Sequence, residues 1–574
     1  MKHLKMMIKL TKISFEKLKI SYIITALTYS TNVIVLLINV YVFEFFISSV
    51  QNISELNGIF ASFFLLVLSS VAIQAFDGLN VIMINRFVKK LNGCFTNIFS
   101  LVSNKIDPIS YEDTRFNSAL SSAKEGIKSV SLTIIMILSI TFFYIPYFLL
   151  MSLYFLNRLH ILVAIIPAII VPVILSYYLR MRVFSKFESY YYGRRQITEY
   201  YSQLLQDNTL LYNSRLNNNL TYIIDKFKYY EHKLIKEKNK IYNRVFKYDT
   251  FLKILSSSGY AIGLVVLISS AINENVSIAV LSTSILQINK IFSFANQSVD
   301  GELQSIFDNR LYVEYYYNFI FNNSFLNNNL DNIQSKKNCD YAVLAENIYF
   351  RYPGSNLYTL QNISIKIKRG SRIAIVGPNG SGKTTLSKLL IGLYKPSKGT
   401  MYINVDNTCI TAIFQKYNKY KLTLKDNIII SNPNLSDSTL NNLMQDVDLK
   451  IDDNFNLKTV LSADFGGIDI SEGMWQKVIL LRAISKEFDF IVMDEPTAAL
   501  DPFEELNHYV FVNNLLPKDI IVIFVTHRLA SIHLSDFIIY MEQGSIVESG
   551  THNELIKLNG KYKNMYNKQK EMYN

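Results

Sequence analysis

Over roughly the first 300 positions the apolar residues do not alternate with polar ones but run in blocks. Six stretches, roughly 20–47, 59–84, 130–156, 159–179, 253–272 and 276–298, are almost free of charge. Each is long enough to cross a hydrocarbon core of about 30 Å, which takes about 20 helical residues. Buried helices of a soluble core would be interrupted by charge every turn or two, and these are not. The opening MKHLKMMIKLTKISFEKLKI follows another rule: Leu4, Met7, Ile8, Thr11, Phe15 and Leu18 recur at helical spacing with lysines between them. That suits a helix lying on the cytoplasmic membrane surface. It is not read as a secretion signal, because the span after it is too long and lacks a small-residue cleavage site.

The segments between the blocks are unequal in charge. The N-terminus holds six lysines, segment 85–129 seven Lys/Arg and segment 180–252 fourteen, whereas the short connections hold only Arg158. The positive-inside rule then places both termini and both long segments in the cytoplasm. Neither long segment has a helix breaker until Asp107-Pro108 and the Asn-rich patch at Asn213–Asn219. Spans 2 to 5 are therefore expected to continue as helices beyond the bilayer, meeting at turns near Pro108–Phe116 and Asp207–Asn217, where a cytosolic domain would push. Pro146, Pro167 and Pro172 fall inside spans 3 and 4, where proline removes a helix hydrogen bond and kinks the helix. Glu44, Asp77 and Lys290 are ionisable residues inside the spans, and such residues face a watery cavity or a partner. Glu44 and Asp77 are expected at the interfaces, and Lys290, below the midplane, is the candidate for a substrate cavity.

The pattern changes after residues 322–338, NNSFLNNNLDNIQSKKN, a polar run without apolar periodicity that reads as a linker. Beyond it, a short apolar strand at Ile373–Val376 runs into GPNGSGKTT, which fits GxxxxGK[ST], and then into a helix with Leu386, Leu389, Leu390 and Leu393. Strand, glycine loop and helix start are what backbone N–H groups need to surround phosphate. The cradle is Gly377, Pro378, Asn379, Gly380, Ser381, Gly382, Lys383, Thr384 and Thr385. Lys383 would reach the β- and γ-phosphates of ATP and Thr384 would ligate Mg²⁺. A second apolar strand, Phe490–Met493, ends in Asp494 and Glu495. The first carboxylate suits the Mg²⁺ shell, and the second suits orienting or deprotonating the attacking water. His527 follows a third strand, Ile520–Val525, and would sense the γ-phosphate.

Composition narrows this further. The chain has 574 residues, 50% of them apolar and 18% charged. Mean hydropathy is +0.17. An ordinary soluble or disordered protein is excluded. Net charge is +12, but residues 1–340 carry 33 Lys/Arg against 22 Asp/Glu and residues 341–574 carry 25 against 24. The basic excess thus lies with the apolar blocks, and no nucleic-acid partner is expected. Cys94, Cys339 and Cys409 have neither disulfide-framework nor zinc spacing.

With these motifs the chain resembles an ABC transporter of the exporter type, a half-transporter with six spans fused to one nucleotide-binding domain. The fold implied is an all-α six-helix membrane domain (1–321), a linker (322–341) and an α/β P-loop NTPase domain (342–574). The resemblance implies that Tyr352 in FRYPG stacks on adenine, that Gln415 in IFQKYNKY is the Q-loop glutamine and a further Mg²⁺ ligand, and that Asp501 in AALD lies at a dimer seam. It makes Glu495 and His527 catalytic. The stretch FQKYNKYKLTLKDNI and Trp475-Gln476 are similar to the bacterial peptide and lantibiotic exporters. One motif departs. The family's LSGGQ signature, which acts on the nucleotide of a second half, reads Ile470-Ser471-Glu472-Gly473-Met474 here. Ser471 and the Gly473 N–H can still meet a γ-phosphate, whereas Glu472 either weakens closure or points to solvent.

The resemblance implies a multi-pass cytoplasmic-membrane exporter, driven by ATP and Mg²⁺, that works with a second half-transporter by alternating access. Homodimer and heterodimer both remain open, as do peptide or bacteriocin export, lipid or drug export, and a regulatory half with an altered site. The surface helix at the start leaves no protease domain before the membrane helices, so a leader on a peptide cargo would be removed by another protein.

Overall fold

A computed structural model of the chain describes residues 2–51, 56–158, 160–206, 219–272, 277–321, 333–334, 341–449, 455–495, 511, 513–526 and 532–573. They form two compact units. The first comprises Met1–Lys105 and Ser118–Asn323, and the second Ile106–Asn117 and Ser324–Asn574.

Among the described residues the first unit is built of helices: α1 (Lys2–Lys17), α2 (Lys19–Gln51), α3 (Leu56–Ser103), α4 (Thr114–Ser139), α5 (Ile145–Arg158), α6 (Ile165–Gln206), α7 (Leu220–Ile272) and α8 (Ile278–Gln297). Among the described residues, six segments are long and apolar enough to cross a membrane, at Lys19–Gln51, Leu56–Ser103, Thr114–Arg158, Leu162–Arg182, Leu220–Ile272 and Ile278–Phe321. Each contains one of the six blocks or most of it. Polar flanks extend the apolar stretches as helix, so that α3 reaches 48 residues and α7 reaches 53.

Between α4 and α5 the chain winds one π-helical turn at Ile140–Tyr144, just ahead of Pro146. A widened turn absorbs the hydrogen bond that proline cannot donate. Packing in this unit relies on close approach. A Cβ on Gly126 would run into the Tyr312 carbonyl, and one on Gly259 would come within 3.1 Å of the Ala168 carbonyl oxygen. Small residues let helix backbones touch where lipid offers no hydrophobic drive.

Several charges within the spans have partners. Glu44 pairs with Arg158 at 2.8 Å and accepts from the Tyr154 hydroxyl at 2.9 Å, and Asp77 accepts from Asn32 at 2.6 Å. Arg180 on α6 bridges Asp249 on α7 and Asp300, at 2.7 and 2.6 Å, and Lys253 joins Asp300 at 2.9 Å. The opening helix has two apolar faces: Met6 and Leu10 are buried within the unit, while Leu4 and Ile8 stay exposed.

The second unit is built on two sheets. One has the order β1 (Ile333–Gln334), β5 (Lys398–Ile403), β2 (Tyr341–Phe350), β3 (Leu360–Lys368). The other has the order β10 (Ser545–Gly550), β9 (Phe537–Glu542), β4 (Arg372–Val376), β8 (Ile521–Val525), β7 (Phe490–Asp494), β6 (Ile410–Ile413). From β6 to β9 the pairing is parallel. Strands β7 and β8 are buried along their whole length, which is why they read as unbroken apolar runs. One core lies between the two sheets, and a second packs Trp475, Val478 and Leu481 onto the face of β7 and β8 that carries Ile491 and Val522.

Candidate nucleotide site

In an open parallel sheet a ligand crevice forms beyond the carboxyl ends of the strands. Here β4, β8 and β7 lie side by side, with Ile375 opposite Val525 and Asp494 opposite Val525. The loop after β4 and the carboxylates at the end of β7 therefore meet at one edge.

The loop leaves β4 at Gly377 and enters α9 (Lys383–Leu390) through Gly382, which has φ +98°. A side chain at Gly377 would strike the Met541 carbonyl, and one at Gly382 would come within 2.7 Å of Leu360. The glycines are thus required by sterics as well as by conformation. Lys383 folds back and donates to the carbonyls of Gly377 and Pro378 at 2.9 and 3.0 Å. Burial pushes its ammonium below the usual lysine range, against the nearby charges of Glu495 and Asp494. The Ser381 hydroxyl oxygen is buried and has no hydrogen-bond partner among the described residues. A buried lysine, an orphaned hydroxyl and a helix start together form an anion cradle.

Asp494 is 3% exposed. Burial raises its pKa, although the Thr384 hydroxyl bonds to the carboxylate and opposes the shift. Thr384 and Asp494 are hard oxygen donors of the kind Mg²⁺ takes, and they touch. Glu495 follows in a left-handed conformation, φ +48°, pinned by its N–H donating to the Val525 carbonyl at 3.0 Å. A non-glycine residue held there is strained, and such strain concentrates at functional sites. Gln415 leaves β6, which pairs with β7, and its Nε2 donates to Glu495 Oε2 at 3.1 Å. Tyr352 sits on the other flank of the loop. Its hydroxyl lies 3.0 Å from Thr385 Oγ1, and its ring edges meet Phe350 and Tyr394.

The signature residues stand at the start of α10 (Glu472–Ile484), where Ser471 Oγ accepts from the Met474 N–H at 3.3 Å. Asp501 and His527 lie outside the described residues.

Residues 360–498 match the family model described as ABC transporter. The subtilin transport ATP-binding protein SpaT of Bacillus subtilis is 31% identical, over 65% of this chain and 63% of its own length. The nisin transport ATP-binding protein NisT of Lactococcus lactis subsp. lactis is 30% identical, over 73% of this chain and 72% of its own. The chain belongs to the ABC transporter family. A solved structure of a bacterial Atm1-family ABC exporter with ATP bound shares the fold, with TM-score 0.75 and 17% identity over 97% of this chain and 98% of that one. This ABC transporter thus combines six candidate membrane helices with one nucleotide-binding domain.

Two further groups in this ABC transporter escape sequence reasoning. Glu112, in the short 3₁₀ helix Pro108–Glu112, accepts from the Tyr394 hydroxyl at 2.6 Å and from Lys388 at 3.3 Å. The Tyr394 hydroxyl, followed by Lys388, holds the Glu112 carboxyl below the ordinary glutamate range. The second group is Tyr417 with Lys419, both bound to Glu472. Aromatic and basic residues crowd the segment after Gln415, but nothing in the linear order pairs them with the signature.

Proposed function

We propose that this chain is an ATP hydrolase coupled to export across the cytoplasmic membrane, working as a dimer of half-transporters by alternating access, with a peptide or bacteriocin-like cargo. The observation that carries it is the contact between Gln415 and the strained Glu495, beside a glycine loop and Asp494, in a chain that also holds six candidate spans. Lys383, Ser381 and the loop N–H groups bind the phosphates, and Tyr352 stacks on adenine. Thr384, Asp494 and Gln415 would hold Mg²⁺, which would neutralise charge on the phosphate oxygens. Glu495 takes the proton of the attacking water, and His527 and Asp501 complete the site. Both termini and the nucleotide-binding domain lie in the cytoplasm, as the lysine distribution requires. The names of the two relatives, which transport subtilin and nisin, favour a peptide cargo over a lipid or drug. Lys290, half-buried on α8, is assigned to the cargo path.

The test is ATP turnover by the purified chain in lipid nanodiscs, with Glu495→Gln as the blank. Turnover above the blank that rises with a peptide from the same cell supports the reading. Turnover stimulated only by lipids or amphiphilic drugs would replace the peptide cargo with the lipid or multidrug one. No turnover above the blank would make the chain a regulatory half. Lys290→Ala should reduce peptide stimulation; unchanged stimulation removes Lys290 from the path.

A further inference from the structure

Glu472 occupies the position where the family signature has glycine, and a carboxylate there would bring negative charge toward the phosphates that the signature meets. The structure shows where that charge goes. Both of its oxygens are engaged: Oε2 accepts from the Tyr417 hydroxyl at 2.8 Å, and Oε1 pairs with the Lys419 ammonium. These contacts hold the carboxyl below the ordinary glutamate range, with Lys419 contributing most. Tyr417 is itself fixed, packed against the core beneath α10. The Lys419 ammonium lies 6.0 Å from the centre of the Tyr417 ring, which keeps the two donors together.

The neighbouring groups stay open. A Cβ built on Gly473 would meet no atom within 4 Å. In capping the helix, Ser471 Oγ uses a lone pair rather than its proton. As the first residue of α10, Glu472 also draws on the positive end of the helix.

We propose that Tyr417 and Lys419 are positioning residues that hold the Glu472 carboxylate aside and neutralise it, leaving Ser471 and the Gly473 N–H open to the phosphates of ATP bound by a second copy of this chain. The inference rests on the dimeric exporter reading and adds to it that the altered signature is compensated within the same chain, so that a homodimer suffices. Lys419 and Tyr417 lie on the segment that begins with Gln415. The groups that tend Glu472 and the group that contacts Glu495 thus share one short stretch.

The experiment uses the full-length chain in nanodiscs and reads two quantities. One is ATP retained at increasing MgATP concentration in the Glu495→Gln background, and the other is kcat and KM in the parent. Lys419→Ala frees the charge and should raise half-saturation and KM by about two- to fivefold, the range of an exposed charge pair. The defect should shrink in high salt, and Lys419→Arg should restore the parent values. Adding Glu472→Gly should abolish the effect, so that the double variant matches Glu472→Gly alone. A Lys419→Ala defect that persists beside Glu472→Gly would mean a merely structural lysine and overturn the proposal, as would no defect at all. Absent turnover in the parent would sink the export reading, while the retention measurement would still judge the clamp.

Discussion

Gln415 Nε2 donates a hydrogen bond of 3.1 Å to Glu495 Oε2, joining the residue after β6 to the strained residue after β7. One hydrogen bond fixes the carboxylate whose backbone is already held out of its preferred region. Glu495→Gln keeps the shape and removes the proposed base. Phosphate release should fall at least ~100-fold, while binding of a fluorescent ATP analogue should change little. Gln415→Ala should cost about tenfold in turnover, the value of a hydrogen bond to a charged group. Equal rates for parent and Glu495→Gln would remove Glu495 from the chemistry.

Asp494 is a buried carboxyl whose pKa is raised by desolvation. The native state therefore holds the proton more tightly than the unfolded chain does. Its ionisation costs stability progressively as pH rises from about 3.9, the unfolded value, through the higher folded one. Asp494→Asn should then raise the melting temperature of the nucleotide-free protein at pH 7.5 by about 2–4 °C, roughly 1 kcal/mol. The gain should fade toward pH 4, and the variant should lose the stabilisation that MgATP gives the parent. Calorimetry at the two pH values checks both signs.

Tyr394 connects the edge of Tyr352 to Glu112. Tyr394→Phe keeps the ring and deletes the hydroxyl. Basal ATP turnover should stay within about twofold, and stimulation by cargo should drop, because the segment Ile106–Asn117 loses a 2.6 Å polar tie. The Glu112 carboxyl is depressed, so its contact is fully present above the ordinary glutamate value of about 4.3 and fails only as pH falls through the lower folded value. Stimulation should therefore be insensitive to this group between pH 6 and 8. Full stimulation in Tyr394→Phe would refute the link.

Gly126 packs directly against the backbone at Tyr312. Gly126→Val should force α4 away from the helix that carries Tyr312 at a cost of about 1–3 kcal/mol. The measurement is the detergent-resistant folded fraction on size exclusion, which should fall sharply. Gly78→Val is the control, because a Cβ at Gly78 meets nothing within 4 Å.

Much of this was legible in the linear chain. Six charge-poor blocks announced the spans because lipid admits little else, and GPNGSGKTT announced the cradle because its glycines answer local steric demands. Asp494 and Glu495 were visible as the polar end of an apolar strand. Other features depend on what the fold brings together. Glu112 and Tyr394 are 282 positions apart, and Lys419 and Glu472 are 53 apart, with no periodicity to join them. The left-handed turn at Glu495 is imposed by the Val525 carbonyl on a neighbouring strand, and its own residue type argues against it. The partners of Glu44 and Asp77 are likewise set by helix packing, so a reading that placed both at the interfaces could not name Arg158 or Asn32.

The second unit is discontinuous, taking in Ile106–Asn117, the connection after α3 together with the first turn of α4. A ribosome therefore delivers that fragment long before its hydrogen-bonding partner. At about 5–20 residues per second, the 282 positions from Glu112 to Tyr394 take roughly 15–60 s to synthesise. During that interval Ile109, which ends half-buried against the core of the second unit, has no surface from that unit to rest on. Biogenesis of this chain thus contains an obligatory wait, in which an apolar side chain precedes the unit that covers it.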